Sequence, residues 1–235
     1  MSLAVGASLL GTLSGCLSAT SSDLSTSDIS AEMLVQADGE MTHIFTVLRE
    51  GGPDSHTYVT VGGEDQLSID DGYRPLKLKE NSLAGYVYYT EDVTTQDAGS
   101  LFTILFERSV DAGAQNSTVA LPEPFEVTPF EEGTTLSRST EPLILTWAPA
   151  SPSEPMHVHL TGSCIERVEH TVQADEGNLI FQPGELVPLE GTEEESCKLS
   201  VTLTREREGV ADARWAEGSS IAASHVRTLS LTLAP

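Results

Sequence analysis

From residue 31 onward the apolar side chains recur at every second position, and a helical spacing is nowhere sustained. Met156, Val158 and Leu160 share one parity; so do Leu199, Val201 and Leu203, and Leu229, Leu231 and Leu233. A period of two places such residues on one face of a strand. In the first half the pattern predicts strands over Ala31–Ala37, Thr42–Arg49, Thr57–Val61, Gln66–Ile69, Pro75–Lys79, Leu83–Glu91, Leu101–Arg108 and Ser117–Leu121. These runs are rich in Val, Thr, Tyr, Phe and Ile. Turn chemistry such as Gly51-Gly52-Pro53 and Asp70-Asp71-Gly72 separates them. Leu101 to Phe106 is apolar on both sides and reads as a central strand. In the second half the predicted strands are Phe125–Phe130, Leu143–Trp147, Met156–Leu160, Leu179–Phe181, Cys197–Thr204 and His225–Leu233. Short strands at close spacing predict an all-β sandwich architecture rather than alternating strand and helix units.

A chain of 235 residues is long enough for two domains of ordinary size. The segment Leu121-Pro122-Glu123-Pro124-Phe125 reads as a stiff connector, since each proline holds its neighbour extended. The expected division is therefore a β-sandwich over 31–121 and another over 122–235. The Gly/Ala/Ser-rich piece from Glu208 to Ser224 reads as a loop, or a short helix, with Trp215 either pinning it to the core or exposed at its tip.

The N-terminus has a different texture. Leu3, Val5, Leu9, Leu10 and Leu13 form an apolar stretch too short to span a bilayer as a helix. It runs into Leu13-Ser14-Gly15-Cys16, and a Ser/Thr-rich segment follows. This arrangement resembles a bacterial lipoprotein signal. The resemblance implies that residues 1–15 are a signal peptide and that Cys16 carries the lipid. Each buried methylene of an acyl chain would then contribute roughly 0.8 kcal/mol to holding the protein at a membrane. Such signals begin with Lys or Arg, and none precedes Arg49 here, so the reading frame is expected to start upstream of Met1. Residue 17 is Leu rather than the Asp that retains similar lipoproteins at the inner membrane. The resemblance thus implies the outer membrane, on its periplasmic face or at the cell surface. Residues 16–30 lack aromatics and read as a flexible tether.

With Cys16 acylated, Cys164 and Cys197 remain as a pair in an oxidising compartment. Cys164 shares the inward parity of Met156, Val158 and Leu160, and Cys197 that of Leu199, Val201 and Leu203. A bridge closing about 33 residues would stabilise the fold by roughly 3–4 kcal/mol in the chain-entropy model.

The formal net charge is -24, with an isoelectric point near 4.3. Nucleic acid is excluded as a partner class, because phosphate binding needs clustered Lys and Arg. Anionic lipid headgroups would be repelled, so membrane attachment falls to the acyl chains. The acids are scattered rather than run together, as on a solvated surface; calcium or a cationic partner is the functional alternative.

Two further resemblances follow from particular residues. Pro124-Phe125-Glu126-Val127-Thr128-Pro129, Gly133-Thr134-Thr135-Leu136-Ser137 and Leu143-Ile144-Leu145-Thr146-Trp147 together resemble the opening of an immunoglobulin-like domain. Trp147 precedes both Cys164 and Cys197, so the antibody order Cys-Trp-Cys is not met. With its lipobox and its closing strand from Arg227 to Pro235, the whole chain is similar to two-domain lipoproteins of Gram-negative bacteria. That similarity implies two immunoglobulin-like sandwiches behind a lipid anchor, and it brings no activity with it.

Catalytic motifs are missing from the sequence: no Gly-x-Ser-x-Gly elbow and no phosphate-cradling glycine loop. His157 and His159 are the best metal candidate, since residues two apart on a strand project from one face. They would need a third ligand, from Glu166, His170 or His225. Asp70-Asp71-Gly72 and Asp38-Gly39-Glu40 place carboxylates at turns, where they suit either calcium or ordinary hairpin chemistry. Tyr86 and Tyr88 fall on one strand face, Val87 and Tyr89 on the other; the favoured expectation is that they fill the sandwich core or cap its edge, and the alternative is an exposed tyrosine pair suited to a protein or glycan contact. His43 and His56 stand alone. The expectation is a non-enzymatic binding or structural protein without a cofactor, its partner a protein or a glycan. The rivals are a metal-dependent hydrolase centred on His157 and His159 and a calcium-stabilised adhesin.

Overall fold

The computed structural model describes residues 17–235. The expected lipidation site Cys16 and the expected signal peptide lie outside the described residues. The first half of the chain forms β1 (Leu17–Thr20), β2 (Ile29–Ala37), β3 (Thr42–Glu50), β4 (Thr57–Thr60) and β5 (Gln66–Asp70). It continues with β6 (Pro75–Lys77), β7 (Lys79–Leu83), β8 (Tyr86–Val93), β9 (Leu101–Glu107) and β10 (Ala114–Ala120). One sheet runs β2-β3-β8-β7, and the sheet facing it runs β10-β9-β5-β6. That is the strand order of an immunoglobulin-class sandwich. Alternation creates it. On β9, Phe102, Ile104 and Phe106 are fully buried while Leu101, the first residue of the strand, is 56% exposed.

The second half forms β11 (Glu126–Val127), β12 (Thr135–Ser137), β13 (Leu143–Ala148), β14 (Met156–Thr161), β15 (Val168–Val172), β16 (Asn178–Phe181), β17 (Cys197–Glu208) and β18 (Ser220–Ala234). Strands β11-β13-β16 make one sheet, and β12-β18-β17-β14-β15 face it. The opening strand is split between the two sheets, and β12 joins β18 in parallel. Met156, Val158, Leu160, Leu199, Val201 and Leu203 are all fully buried in the second core. Cys164 and Cys197 meet there in a disulfide, with Cα atoms 5.7 Å apart. Beside it the buried Arg138 donates to the carbonyl oxygens of Thr192, Glu193 and Glu195, which fixes the loop leading into β17.

Two cores form, and the sheet between them is continuous. Leu121 ends the first core and Phe125 begins the second, on either side of the two prolines. The chain then returns. The register places Ser220–His225 of β18 against Glu32–Ala37 of β2, in parallel, so the closing hairpin of the second sandwich extends the first sandwich's sheet. Val210 bridges to Thr118 of β10, which ties the hairpin end to the opposite sheet as well. Trp215 at that end is buried in the first core, stacked on Phe106 with centroids 5.0 Å apart, and its Nε1–H donates to Ser117 Oγ. Residues 209–219 thus form the loop that their composition predicts, with Trp215 pinning it to the core, whereas Ser220–Ser224 belongs to β18. The small side chains have a packing reason: a Cβ on Gly209 would run into the Thr118 carbonyl oxygen and the Val119 side chain. Ala223 is buried without room for more.

The segment read as a flexible tether is also built into the fold from Leu17 onward. Strand β1 pairs in parallel with β4, and two 3-10 turns follow, Ser21–Asp23 and Thr26–Asp28. Ile29 is fully buried and Leu24 packs against the first core. Polar bonding replaces most of the missing apolar area. Arg108 and Asp65 form an ion pair at 2.8 Å with both side chains fully buried. Arg108 also donates to the carbonyls of Ser21 and Leu24 and to Thr26 Oγ1. Ser21 in turn donates to Asp65 Oδ2. Every Arg108 nitrogen donates and Asp65 Oδ1 accepts from Ser109 N and Oγ, and such added hydrogen bonds are what let a buried ion pair persist.

Candidate functional site

The outer face of the β2-β3-β8-β7 sheet carries an aromatic row. Tyr86 and Tyr88 of β8 share a face, as their parity predicts, and that face is the outer one rather than the core, while Val87 and Tyr89 are buried inward. Neighbouring strands extend the pair. Tyr58 of β4 meets Tyr86 edge-on at 4.9 Å, Tyr86 lies 5.6 Å from Tyr88, and Phe45 of β3 lies 5.3 Å from Tyr88. All four are half-buried. Val47 shares the parity of Phe45 on β3 and is nonetheless fully buried. Leu83, 71% exposed, stands beside Tyr86 in the register with β7. Around the row the charges are already paired: Arg49 with Glu32 at 2.9 Å and Lys79 with Glu91 at 3.1 Å. The Arg49 guanidinium also sits over the Tyr58 ring, 5.9 Å from its centroid. An aromatic centre within a polar rim is the anatomy of a protein contact surface. Neither Tyr58 nor Phe45 was legible in this role, because strand pairing brings them to Tyr86 and Tyr88.

At one end of the same sandwich the β2–β3 turn, the β5–β6 turn and the segment after β8 come together. An open groove of about 460 Å³ lies between the last two, lined by Asp71, Tyr73, Arg74, Asp92, Thr95 and Asp97 among others. His43 sits beside it, Nδ1 2.7 Å from Asp92 Oδ1 and Nε2 3.0 Å from Asp38 Oδ2. Hydrogen bonds to Asp38 and Asp92 raise the His43 pKa above its ordinary value. Asp38 is pushed well below the usual carboxylate range, chiefly by the Met41 and Glu40 backbone N–H groups, and then by His43. The sequence left His43 isolated; two turns of the fold supply its partners.

The carboxylate turns are engaged with their own chain. Asp38 Oδ1 accepts from the Glu40 and Met41 amides, Asp70 Oδ1 from the Gly72 amide, and Asp71 Oδ2 from Thr95 Oγ1. These are turn contacts. The His157 and His159 rings do share one face of β14. His157 Nδ1 meets Thr171 Oγ1 at 3.1 Å, and His159 Nδ1 lies 3.5 Å from Arg167. The proposed third ligands do not join them. His170 pairs across from Val158, on the other face, and packs edge-on against Phe181. Glu166 follows Cys164 in an exposed turn, and His225 is buried between the two sandwiches. Among the described residues, no group of three or more His, Cys, Asp or Glu side chains could hold a metal ion. His157 and His159 therefore share a face without Glu166, His170 or His225 beside them.

A polar network lies where the sandwiches meet. Arg205 and Asp175 pair at 2.7 Å with both side chains fully buried. Arg205 also donates to the Glu123 and Pro149 carbonyls, and Asp175 accepts from Trp147 Nε1. Next along β17, Arg207 donates from Nε to Glu154 Oε1 at 2.8 Å and from Nη1 to the Leu121 carbonyl. The prolyl connector is thus clamped by two arginines that also belong to the closing hairpin.

No protein-family model matches the sequence, and no curated protein matches it. Among solved structures the chain is similar to the FN1–FN3 domains of chicken CNTN1, with a TM-score of 0.31 and 6% identity, over 87% of this chain and 63% of that one. It is also similar to an I-band fragment of titin, with a TM-score of 0.26 and 12% identity, over 87% of this chain and 64% of that one. A third is the adhesin InvE of Yersinia pseudotuberculosis, with a TM-score of 0.25 and 12% identity, over 89% of this chain and 60% of that one. The chain thus spans under two thirds of each of these structures, and no residue role is carried over from them. Among the described residues no helix is long and apolar enough to cross a membrane.

Proposed function

We propose that the protein is a non-enzymatic binding protein of the bacterial envelope, tethered through lipid on Cys16, that meets a partner protein on the outer face of its first sandwich. The observation that carries this reading is the row Phe45, Tyr88, Tyr86 and Tyr58, with the exposed Leu83 at its end. Half-buried tyrosines are the side chains that gain most when a partner covers them, because each offers a large rigid face at little entropic cost. The surrounding ion pairs leave the rim locally balanced, so the face can be covered without stranding an unpaired charge. The chain's net charge of -24 disfavours a second copy of itself on this face.

The test is site-specific photocrosslinking in cells. A photoreactive residue at Tyr88 is expected to capture a protein, and one at Ile144, exposed on the second sandwich, is not. Capture from Ile144 alone would contradict the assignment, and a glycan captured at Tyr88 would replace the partner class. The anchor is tested separately: incorporation of an alkynyl fatty acid is expected in the native chain and lost in Cys16→Ser.

A further inference from the structure

The closing hairpin crosses between the two sandwiches at one residue. His225 is the last position of β18 paired with β2, opposite Ala37; on its other edge β18 stays paired with β17 from Ala222 to Leu233, with His225 opposite Arg205. The side chain is 1% exposed, and neither ring nitrogen has a hydrogen-bond partner. Nε of Arg205, directly across the β17–β18 ladder, is also unpartnered. We propose that His225 is a proton-sensitive latch: its protonation releases the end of the closing hairpin from β2 and lets the two sandwiches move independently.

The surroundings determine the sign. A neutral imidazole needs one donor role and one acceptor role, whereas an imidazolium carries two N–H donors and a charge. Cations face His225 from two strands: Arg205 on β17 and Arg227 on β18. Carboxylates act on it from two others, Glu126 on β11 and Glu154 in the segment before β14. Both carboxylates are already taken, Glu154 by Arg207 and Glu126 by Arg227 at 3.2 Å. From β2 the ladder offers only Ala37, which is apolar. A proton on His225 therefore enters a buried site next to two arginines with no free acceptor. Release of the hairpin end moves the ring into water, where the charge is solvated.

Burial holds the His225 pKa down at about 4 from an ordinary value of 6.5, with Arg227 and Arg205 acting in the same direction. The open form binds the proton more readily, so the latched form is favoured at neutral pH. It loses ground as pH falls through the window between the two values, by about tenfold per unit within it, and the loss levels off below the lower one. Between pH 7.5 and 5.0 this linkage raises the opening constant about 30-fold.

Hydrogen–deuterium exchange on the full chain reads that constant directly. After correction for intrinsic exchange, amides of residues 220–225 and of the Trp215 turn are expected to open about 30-fold more at pH 5.0 than at pH 7.5. Amides of β13 in the second core are expected to hold their protection. His225→Gln, which cannot take up the proton, is expected to remove the dependence. An unchanged opening constant in the native chain, or the same rise in His225→Gln, would overturn the proposal. Titration of the His225 imidazole by NMR in the native chain gives an independent check. A midpoint near 4 supports the latch, and one near 6.5 rejects it whatever the variant does. The latch stands apart from the tyrosine face, so either can fail alone.

Discussion

The two sandwiches have the same strand logic and are closed by different means. The second completes its own core and staples it with Cys164–Cys197 between the turn after β14 and the start of β17. The first has no disulfide. It takes Trp215, Ile221 and Ala223 from the far end of the chain, and it secures its N-terminal segment with the buried Arg108–Asp65 pair. The first sandwich therefore cannot be complete until β18 has been placed, whereas the second contains all of its own elements. A low-hydrophobicity segment can belong to a core if a buried arginine satisfies its carbonyls; Arg108, Arg138 and Arg205 each do this at a different place.

The sharpest way to break this asymmetry is Arg108→Ala. It strands Asp65 in the interior and frees the carbonyls of Ser21 and Leu24, and removing one partner of a buried pair costs about 3–5 kcal/mol. Calorimetry should show the first sandwich melting early while the second keeps its transition. Trp215→Ala should act similarly, at about 3–5 kcal/mol for a buried aromatic, although residue 215 follows the second sandwich in sequence. If that variant instead destabilised only the second sandwich, the borrowing of the hairpin end would be wrong. Replacing Cys164 and Cys197 together should cost roughly 3–4 kcal/mol and lower the second transition first.

Smaller effects test the face and the groove. Tyr86→Ala with Tyr88→Ala removes the half-buried ring contacts with Tyr58 and Phe45 and should cost about 1–2 kcal/mol in denaturant, while abolishing capture of the partner. His43→Asn should matter only on the acid side. The His43 pKa is raised in the fold, so its contribution is fully present below the ordinary histidine value and is lost as pH rises through the folded value. Since His43 is nearly half exposed, the effect should be a few tenths of a kcal/mol at pH 5.5 and nothing at pH 8.5.

Much of the strand pattern was legible, because parity reports directly on which side chains a sheet buries. The inward course of Met156, Val158 and Leu160, the shared face of Tyr86 and Tyr88, and the facing thiols all follow from counting by twos, although parity alone did not place the tyrosines outward. What parity cannot report is which strands are neighbours. Tyr58 joins Tyr86 across 28 residues of sequence, and Arg108 joins Asp65 across 43, so neither pairing leaves a local trace. Composition misled at both places where polar and small residues are buried. Ser21 and Thr26 resemble a linker until the arginine that binds them is located. Ser220–Ser224 resembles a continuation of the Gly209–Ser219 loop until its pairing with β2 makes it strand, with Ala223 buried. The metal reading of His157 and His159 depended on a third residue whose position only the register could supply.

The most direct test of the central claim, that the closing hairpin locks both sandwiches into one body, is a set of residual dipolar couplings measured on residues 17–235 at pH 7.5. Couplings from β3, β8 and β9 and those from β13, β14 and β17 should fit a single alignment tensor of one magnitude. Two tensors of clearly different magnitude would mean that the sandwiches reorient independently at neutral pH, and the claim that β18 binds them together would be contradicted.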